Sequence, residues 1–263
     1  MLFYRARPSD ASVTMWERLE VDAEPAVEDS VLLVALSTMA PQYEPLYSHA
    51  RELARFLLRK LEFERFATLY SSSLPADVAI GDDGLTRLRS NSFYSRPGKR
   101  RMIMLAGDGS PFDDQQEYAH SVLSYARQLG AKDVISIGAR WSESPVSPGV
   151  PLTPVGFATD AAGVKQLEGL GVTITKGEPG PFFPNLVVGM AVDYGMRGYK
   201  LGVDHGEPRP HPRSLIQILG VLSKMLALDV DLKELVARAK EMEREGPEEG
   251  LPEVRRERGG IYG

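Results

Sequence analysis

Met102-Ile-Met-Leu-Ala106, the turn Gly107-Asp-Gly-Ser-Pro111, a helical stripe from Tyr118 to Leu129, and Val134-Ile-Ser-Ile-Gly138 together decide the fold class. The first five residues are all apolar and end at a Gly-rich turn. That is the pattern of a strand buried on both faces. Asp113 and Asp114 stand where a helix start favours negative charge. Tyr118, Val122, Leu123, Ala126 and Leu129 share one helical stripe. Gly130 stops that helix, and 134–138 reads as the next strand. Strand, loop, helix and strand in succession imply a parallel sheet covered by helices.

The same grammar extends outward. Val31-Leu-Leu-Val-Ala-Leu36 follows Glu28 and Asp29 and reads as a buried parallel strand. After Pro41 and Pro45, the stripe Leu46, Ala50, Leu53, Ala54, Leu57, Leu58, Leu61 predicts a helix. Residues 66–70 then form a second strand, completing a βαβ opening. Toward the C-terminus, a Pro-rich loop covers 145–154 and an extended segment covers 155–158. A short helix is expected at 160–170 and a buried one at 186–192, the latter opened by Pro184-Asn185 and closed near Gly195. A strand at 199–203 and an apolar helix at 213–228 follow. Asp231 caps a last amphipathic helix bearing Leu232, Leu235, Val236, Ala239 and Met242. No internal period emerges, so a solenoid is not expected.

The composition excludes several functions. The chain has 263 residues and no cysteine, so there is no disulfide framework, thiolate nucleophile or Cys-based metal site. Its net charge of −5 argues against nucleic-acid binding, which needs a basic face. The charge is uneven. Residues 1–29 carry 3 basic and 7 acidic side chains, 247–263 carry 3 and 4, and the rest hold 25 of each sign. We therefore expect an acidic N-terminal extension (1–29), an α/β body (30–246) and a flexible tail (247–263). A neutral body fits self-association. Neither a signal peptide nor an apolar run long enough for a membrane span is apparent, so a cytoplasmic location is expected.

Several side chains are candidates for chemistry. Asp108, Gly109 and Ser110 lie in a strand-to-helix loop, where α/β folds form ligand and anion sites. The loop lacks the spacing of a nucleophile elbow or a P-loop, and a tight turn also explains Gly and Asp there. Asp204, His205 and His211 share a loop but supply no evident third strong ligand, so no metal site and no cofactor are expected. His49 and His120 fall in separate helices and read as surface or packing residues. Asp82-Asp83 and Asp113-Asp114 are adjacent pairs explained by a turn and a helix start, so no catalytic residue is assigned. Arg96-Pro-Gly-Lys-Arg-Arg101 reads as a solvated hairpin or loop. Trp141, Phe157, Phe182 and Phe183 fall near Pro/Gly loops and suit either an oligomer interface or a roof over the core.

The tail's last residues, Ile261-Tyr262-Gly263, place an aliphatic side chain and a tyrosine just before the terminal carboxylate. An extended tail of this kind can seat its ring in a partner's pocket and pair its carboxylate with a lysine. Several tails on one oligomer add avidity.

Taken in order, these segments resemble the PAC2 family, the archaeal and bacterial relatives of proteasome assembly chaperones. The resemblance runs from about Ser30 to Glu245. It includes 31–36, Tyr125-Ala-Arg-Gln-Leu-Gly-Ala-Lys-Asp-Val-Ile135, Gly156-Phe-Ala-Thr-Asp160 and Leu226-Ala-Leu-Asp-Val-Asp-Leu232. Many members carry a Gly-rich turn after the first strand. This chain has Ser37-Thr-Met-Ala-Pro-Gln42, so no ligand role is assigned there. The resemblance implies a three-layer α/β/α sandwich with a mostly parallel sheet, similar to nucleoside phosphorylase and hydrolase folds. It also implies homo-oligomers, binding to 20S proteasome α-subunits, and no enzymatic activity. Ile261, Tyr262 and Gly263 look like the docking motif of proteasome activators. The competing expectation is a nucleoside hydrolase/phosphorylase-like or ligase-type enzyme. It would use the 107–110 loop together with Asp204 and His205, and it requires these groups to converge.

Overall fold

The computed structural model describes residues 2–6, 16–36, 48–107, 109–138, 140–141, 152–177, 180, 182–205 and 211–245, with backbone alone for 2–6, 140–141 and His205. The chain runs β1 (Leu2–Ala6), β2 (Trp16–Val21), β3 (Val31–Val34), α1 (His49–Lys60), β4 (Glu64–Ser71), β5 (Val78–Ile80), β6 (Thr86–Leu88), β7 (Asn91–Arg96), β8 (Met102–Gly107) and α2 (Gln115–Gln128). It continues with β9 (Asp133–Ile137), β10 (Arg140–Trp141), β11 (Pro154–Ala158), α3 (Ala161–Gly169), β12 (Thr173–Ile174), α4 (Phe183–Met190), a 3-10 turn (Ala191–Tyr194), β13 (Arg197–His205), α5 (Pro212–Leu226) and α6 (Lys233–Glu245).

Strand alternation builds the layers. Val31, Leu33 and Ala35 face one side of the sheet, while Leu32, Val34 and Leu36 face the other. Met102 and Met104 oppose Ile103 and Leu105 in the same way. The first side packs under α1, α3, α5 and α6, and the second under α2 and α4. The result is the expected three-layer α/β/α sandwich with two apolar cores. Burial on both faces is why β3, β8 and β9 read as continuous apolar runs.

The sheet has eleven strands in the order β1-β2-β4-β7-β8-β3-β9-β13-β11-β12, with β10 pairing β13. Its centre, β8-β3-β9-β13, is parallel throughout. Beyond β8, the strands β7, β4, β2 and β1 add an antiparallel flank. On the far side, β11 runs antiparallel to β13. The βαβ opening differs from expectation. The strand at 66–70 exists as β4, but it pairs antiparallel with β2 and β7 rather than parallel with β3. β2 is charged at Glu17, Arg18 and Glu20 and β7 is polar at Asn91, Ser92, Ser95 and Arg96, so neither shows a continuous apolar run or a regular alternation in sequence.

The expected helix ends are present. Asp160 Oδ1 accepts from Gly163 N (2.6 Å) and opens α3. Asp231 Oδ1 accepts from Lys233 N (2.9 Å) at the start of α6. Gly130 takes the left-handed φ of +88° that ends α2. Asp114 occupies the N-cap of α2 without a side-chain cap, itself left-handed at φ +45°. Among the described residues, no helix is long and apolar enough to cross a membrane.

Candidate functional site

The loop between β8 and α2 is held by the protein itself. Asn91, fully buried at the start of β7, donates from Nδ2 to Gly109 O (2.8 Å) and to the Tyr118 hydroxyl (2.7 Å). Its Oδ1 accepts from Gly109 N (3.3 Å). Both donors and the acceptor of this amide are thus occupied. Burial pushes the Tyr118 phenol above its ordinary pKa, which keeps it neutral. A Cβ on Gly107 would sit 2.6 Å from Asn91 Cα and 2.6 Å from Ser90 O, so only glycine lets the two backbones meet. Gly109 therefore spends its polar groups on Asn91, leaving little to cradle an anion. Asp108, the third residue of the expected ligand loop, lies outside the described residues.

The second half of the expected enzyme site starts from a different strand. Asp204 and His205 end β13, three strand spacings from β8, about 14 Å across the sheet. Gly109 leans the other way, toward β7. His211 instead caps α5: its Nδ1 accepts from Arg213 N (3.2 Å). Among the described residues, no cluster of three or more His, Asp or Glu is arranged to hold a metal. His120 contacts the Tyr194 hydroxyl through Nδ1, and His49 is buried in the first turn of α1.

The remaining candidates resolve locally. Asp83 Oδ1 accepts from Leu85 N (3.0 Å) and shapes the turn between β5 and β6. The basic run turns the β7–β8 hairpin, as expected, but Arg100 bends inward. Its Nη2 donates to Asp133 Oδ2, and its Nη1 donates to Met225 O (3.2 Å) near the end of α5. Arg197 Nε donates to the other Asp133 oxygen (2.8 Å). This buried carboxylate therefore ties a hairpin, β9, β13 and α5 together. Of the loop aromatics, Phe183 is buried edge-on against Tyr118 (5.4 Å between rings), so it roofs the core. Phe182 beside it is exposed, with φ +71°. The side chain of Trp141 and the tail residues Ile261, Tyr262 and Gly263 lie outside the described residues.

Two features were not read from the sequence. The first is the β5–β6 hairpin. Val78 pairs with Leu88 and Ile80 with Thr86, which puts Val78, Ile80 and Leu88 on one face. Ile80 and Leu85 are each 70% exposed. A two-stranded ribbon is marginal alone, and an apolar face left in water adds to that cost. The second is Lys200 in β13. Its amine is shielded from solvent and unpartnered, and so is the hydroxyl of Ser136, its register partner on β9. Burial alone lowers the Lys200 pKa to about 7, and no charged neighbour contributes.

A model of the PAC2 family matches residues 50–248. Among solved structures, the chain is similar to Pyrococcus furiosus PbaB, an archaeal proteasome activator (TM-score 0.75, 21% identity, covering 87% of this chain and 96% of that one). It is also similar to Pyrococcus furiosus PbaA, an archaeal homologue of proteasome-assembly chaperone (TM-score 0.66, 24% identity, 87% and 94%). A third likeness is to a Mycobacterium tuberculosis proteasome-assembly chaperone homologue (TM-score 0.67, 19% identity, 82% and 93%). At these identities the likeness is one of fold. No curated protein matches the chain.

Proposed function

Because the chain belongs to the PAC2 family, we propose that it is a proteasome-binding protein, an assembly chaperone or activator homologue that engages the α-ring of the 20S core particle. The observation that carries this reading is the family match together with a fold shared over 87% of this chain with PbaB, an archaeal proteasome activator. Fold alone does not license function, so the sites bear the rest of the argument. The enzyme reading requires the 107–110 loop to meet Asp204 and His205, and the strands that carry them, β8 and β13, stand three strand spacings apart.

In this reading the tail is the docking element. The Tyr262 ring fills an apolar pocket between neighbouring α-subunits, Ile261 packs beside it, and the carboxylate of Gly263, as terminal residue, pairs with a lysine. The body self-associates so that several tails act together. The exposed β5–β6 hairpin supports self-association, since its apolar face needs cover.

Co-sedimentation with purified 20S core particle tests the reading. Full-length protein is expected to bind, and protein lacking residues 261–263 is expected to lose at least tenfold in affinity. Equal binding by the two would remove the tail from the account. No binding by either would remove the proteasome.

A further inference from the structure

Tyr199, Leu201 and Val203 of β13 pack beneath α1, α5 and α6, so by alternation Lys200 faces the α4 layer together with Gly198. Gly198 lies directly under that helix, where an added Cβ would sit 2.4 Å from Val188 O. Two strand residues carry the chain about 7 Å farther toward the C-terminal edge of the sheet. Helix α4 runs back over β13, and the same distance along its axis is about four or five residues. By this register Lys200 lies on the sheet face toward the N-terminal half of α4, with Phe157 of β11 as its neighbour on that face. Ser136 stands beside it on β9 and faces the same layer as Val134.

The first turn of α4 is itself an electropositive end. It has no side-chain cap and no acidic residue; Pro184 lacks an N–H and Asn185 N and Leu186 N donate to Phe182 O, so what it offers is the helix dipole rather than a row of free N–H groups. The helix dipole there favours a negative charge. The fold thus brings a lysine amine and a serine hydroxyl, both buried and unpartnered, to the sheet face toward a positive helix end. A buried polar group without a partner costs stability, and two at one register on the same face need a reason. Burial that leaves the amine half-protonated near neutrality fits a cation waiting for an anion, because a bound anion restores its charge.

We infer that Lys200 and Ser136 form the floor of a binding site for a small oxyanion, a carboxylate or a phosphate, seated beneath the N-terminal half of α4. Lys200 supplies the charge, Ser136 donates a hydrogen bond, and the helix end adds its dipole. The site does not depend on docking to the proteasome.

Thermal unfolding at pH 7 tests it, with inorganic phosphate or acetate added at constant ionic strength and chloride as control. Wild-type protein is expected to gain at least 2 °C in Tm with one of the two anions, and which one identifies the ligand class. Lys200→Met should lose the gain, and Ser136→Ala should need about tenfold more anion to reach it. Equal gains in wild type and Lys200→Met, or no gain in wild type with either anion, would overturn the assignment. Should Lys200→Met fail to fold, the Lys200 13Cε shift in wild-type protein gives the answer. Its titration should move to higher pH when the anion is added, and an unmoved titration would overturn the site.

Discussion

The β8–α2 loop and the middle of β13 invert each other. The loop carries Gly107, Gly109 and Ser110 between a strand and a helix, and in sequence it looks like a ligand site. In the structure, Asn91 takes up both backbone groups of Gly109, so that part of the turn is closed on itself. The segment Gly198-Tyr-Lys-Leu-Gly202 looks like an ordinary strand, yet it holds an amine with nothing to bind, beside a hydroxyl in the same position. What distinguishes them is whether buried polar groups are satisfied, and motif content does not report that.

The largest effect should come from breaking the satisfied region. Asn91→Ala leaves Gly109 and the Tyr118 hydroxyl buried without partners. We expect a loss of about 3 kcal/mol, since each stranded group costs roughly 1–3 kcal/mol. Urea unfolding measures it, and a loss under 1 kcal/mol would mean that the loop is not clamped.

The unsatisfied region should respond in the opposite sense. The folded pKa of Lys200 is lowered to about 7 from 10.5. Between those values the unfolded chain binds more protons than the folded one, so stability rises with pH across this window. Below about pH 7 the penalty of the buried charge is complete. Lys200→Met should therefore be more stable than wild type at pH 6.5, by about 2 kcal/mol once relaxation around the amine is allowed for. That advantage should shrink as pH approaches 10. A constant difference across the range would show that Lys200 is not buried as described.

The smallest effect is Ser136→Ala. Its hydroxyl has no partner to lose, so without added anion stability should change by no more than about 0.5 kcal/mol. A loss near 2 kcal/mol by urea unfolding would show a partner and erase the contrast with Asn91.

Much of the architecture was legible because burial writes itself into sequence. The runs 31–36, 102–106 and 134–138 are apolar at nearly every position, as strands covered on both faces must be. Asp160, Asp231 and Gly130 marked helix ends by the chemistry they perform. The antiparallel flank was not legible. Trp16-Glu-Arg-Leu-Glu-Val21 and Asn91-Ser-Phe-Tyr-Ser-Arg96 mix polar and apolar residues without a continuous apolar run or a regular alternation. The strands of β5 and β6 have three residues each, and their apolar side chains are not buried within the chain, so no core pattern existed to detect. Asn91 carried no signal either, because its role depends on a loop 18 residues away. Lys200 did carry one. In a strand covered by helices on both faces, its alternation with Tyr199 and Leu201 puts it toward a core between two glycines. A solvated face offers no such setting.

The claim that the tail seats Tyr262 in the proteasome α-ring is tested most directly by photo-crosslinking. Full-length protein with benzoylphenylalanine in place of Tyr262 is mixed with 20S core particle, irradiated, and the adducts are identified by mass spectrometry. The account predicts adducts confined to α-subunits. Co-sedimentation without an α-subunit adduct, or adducts on β-subunits alone, would contradict it.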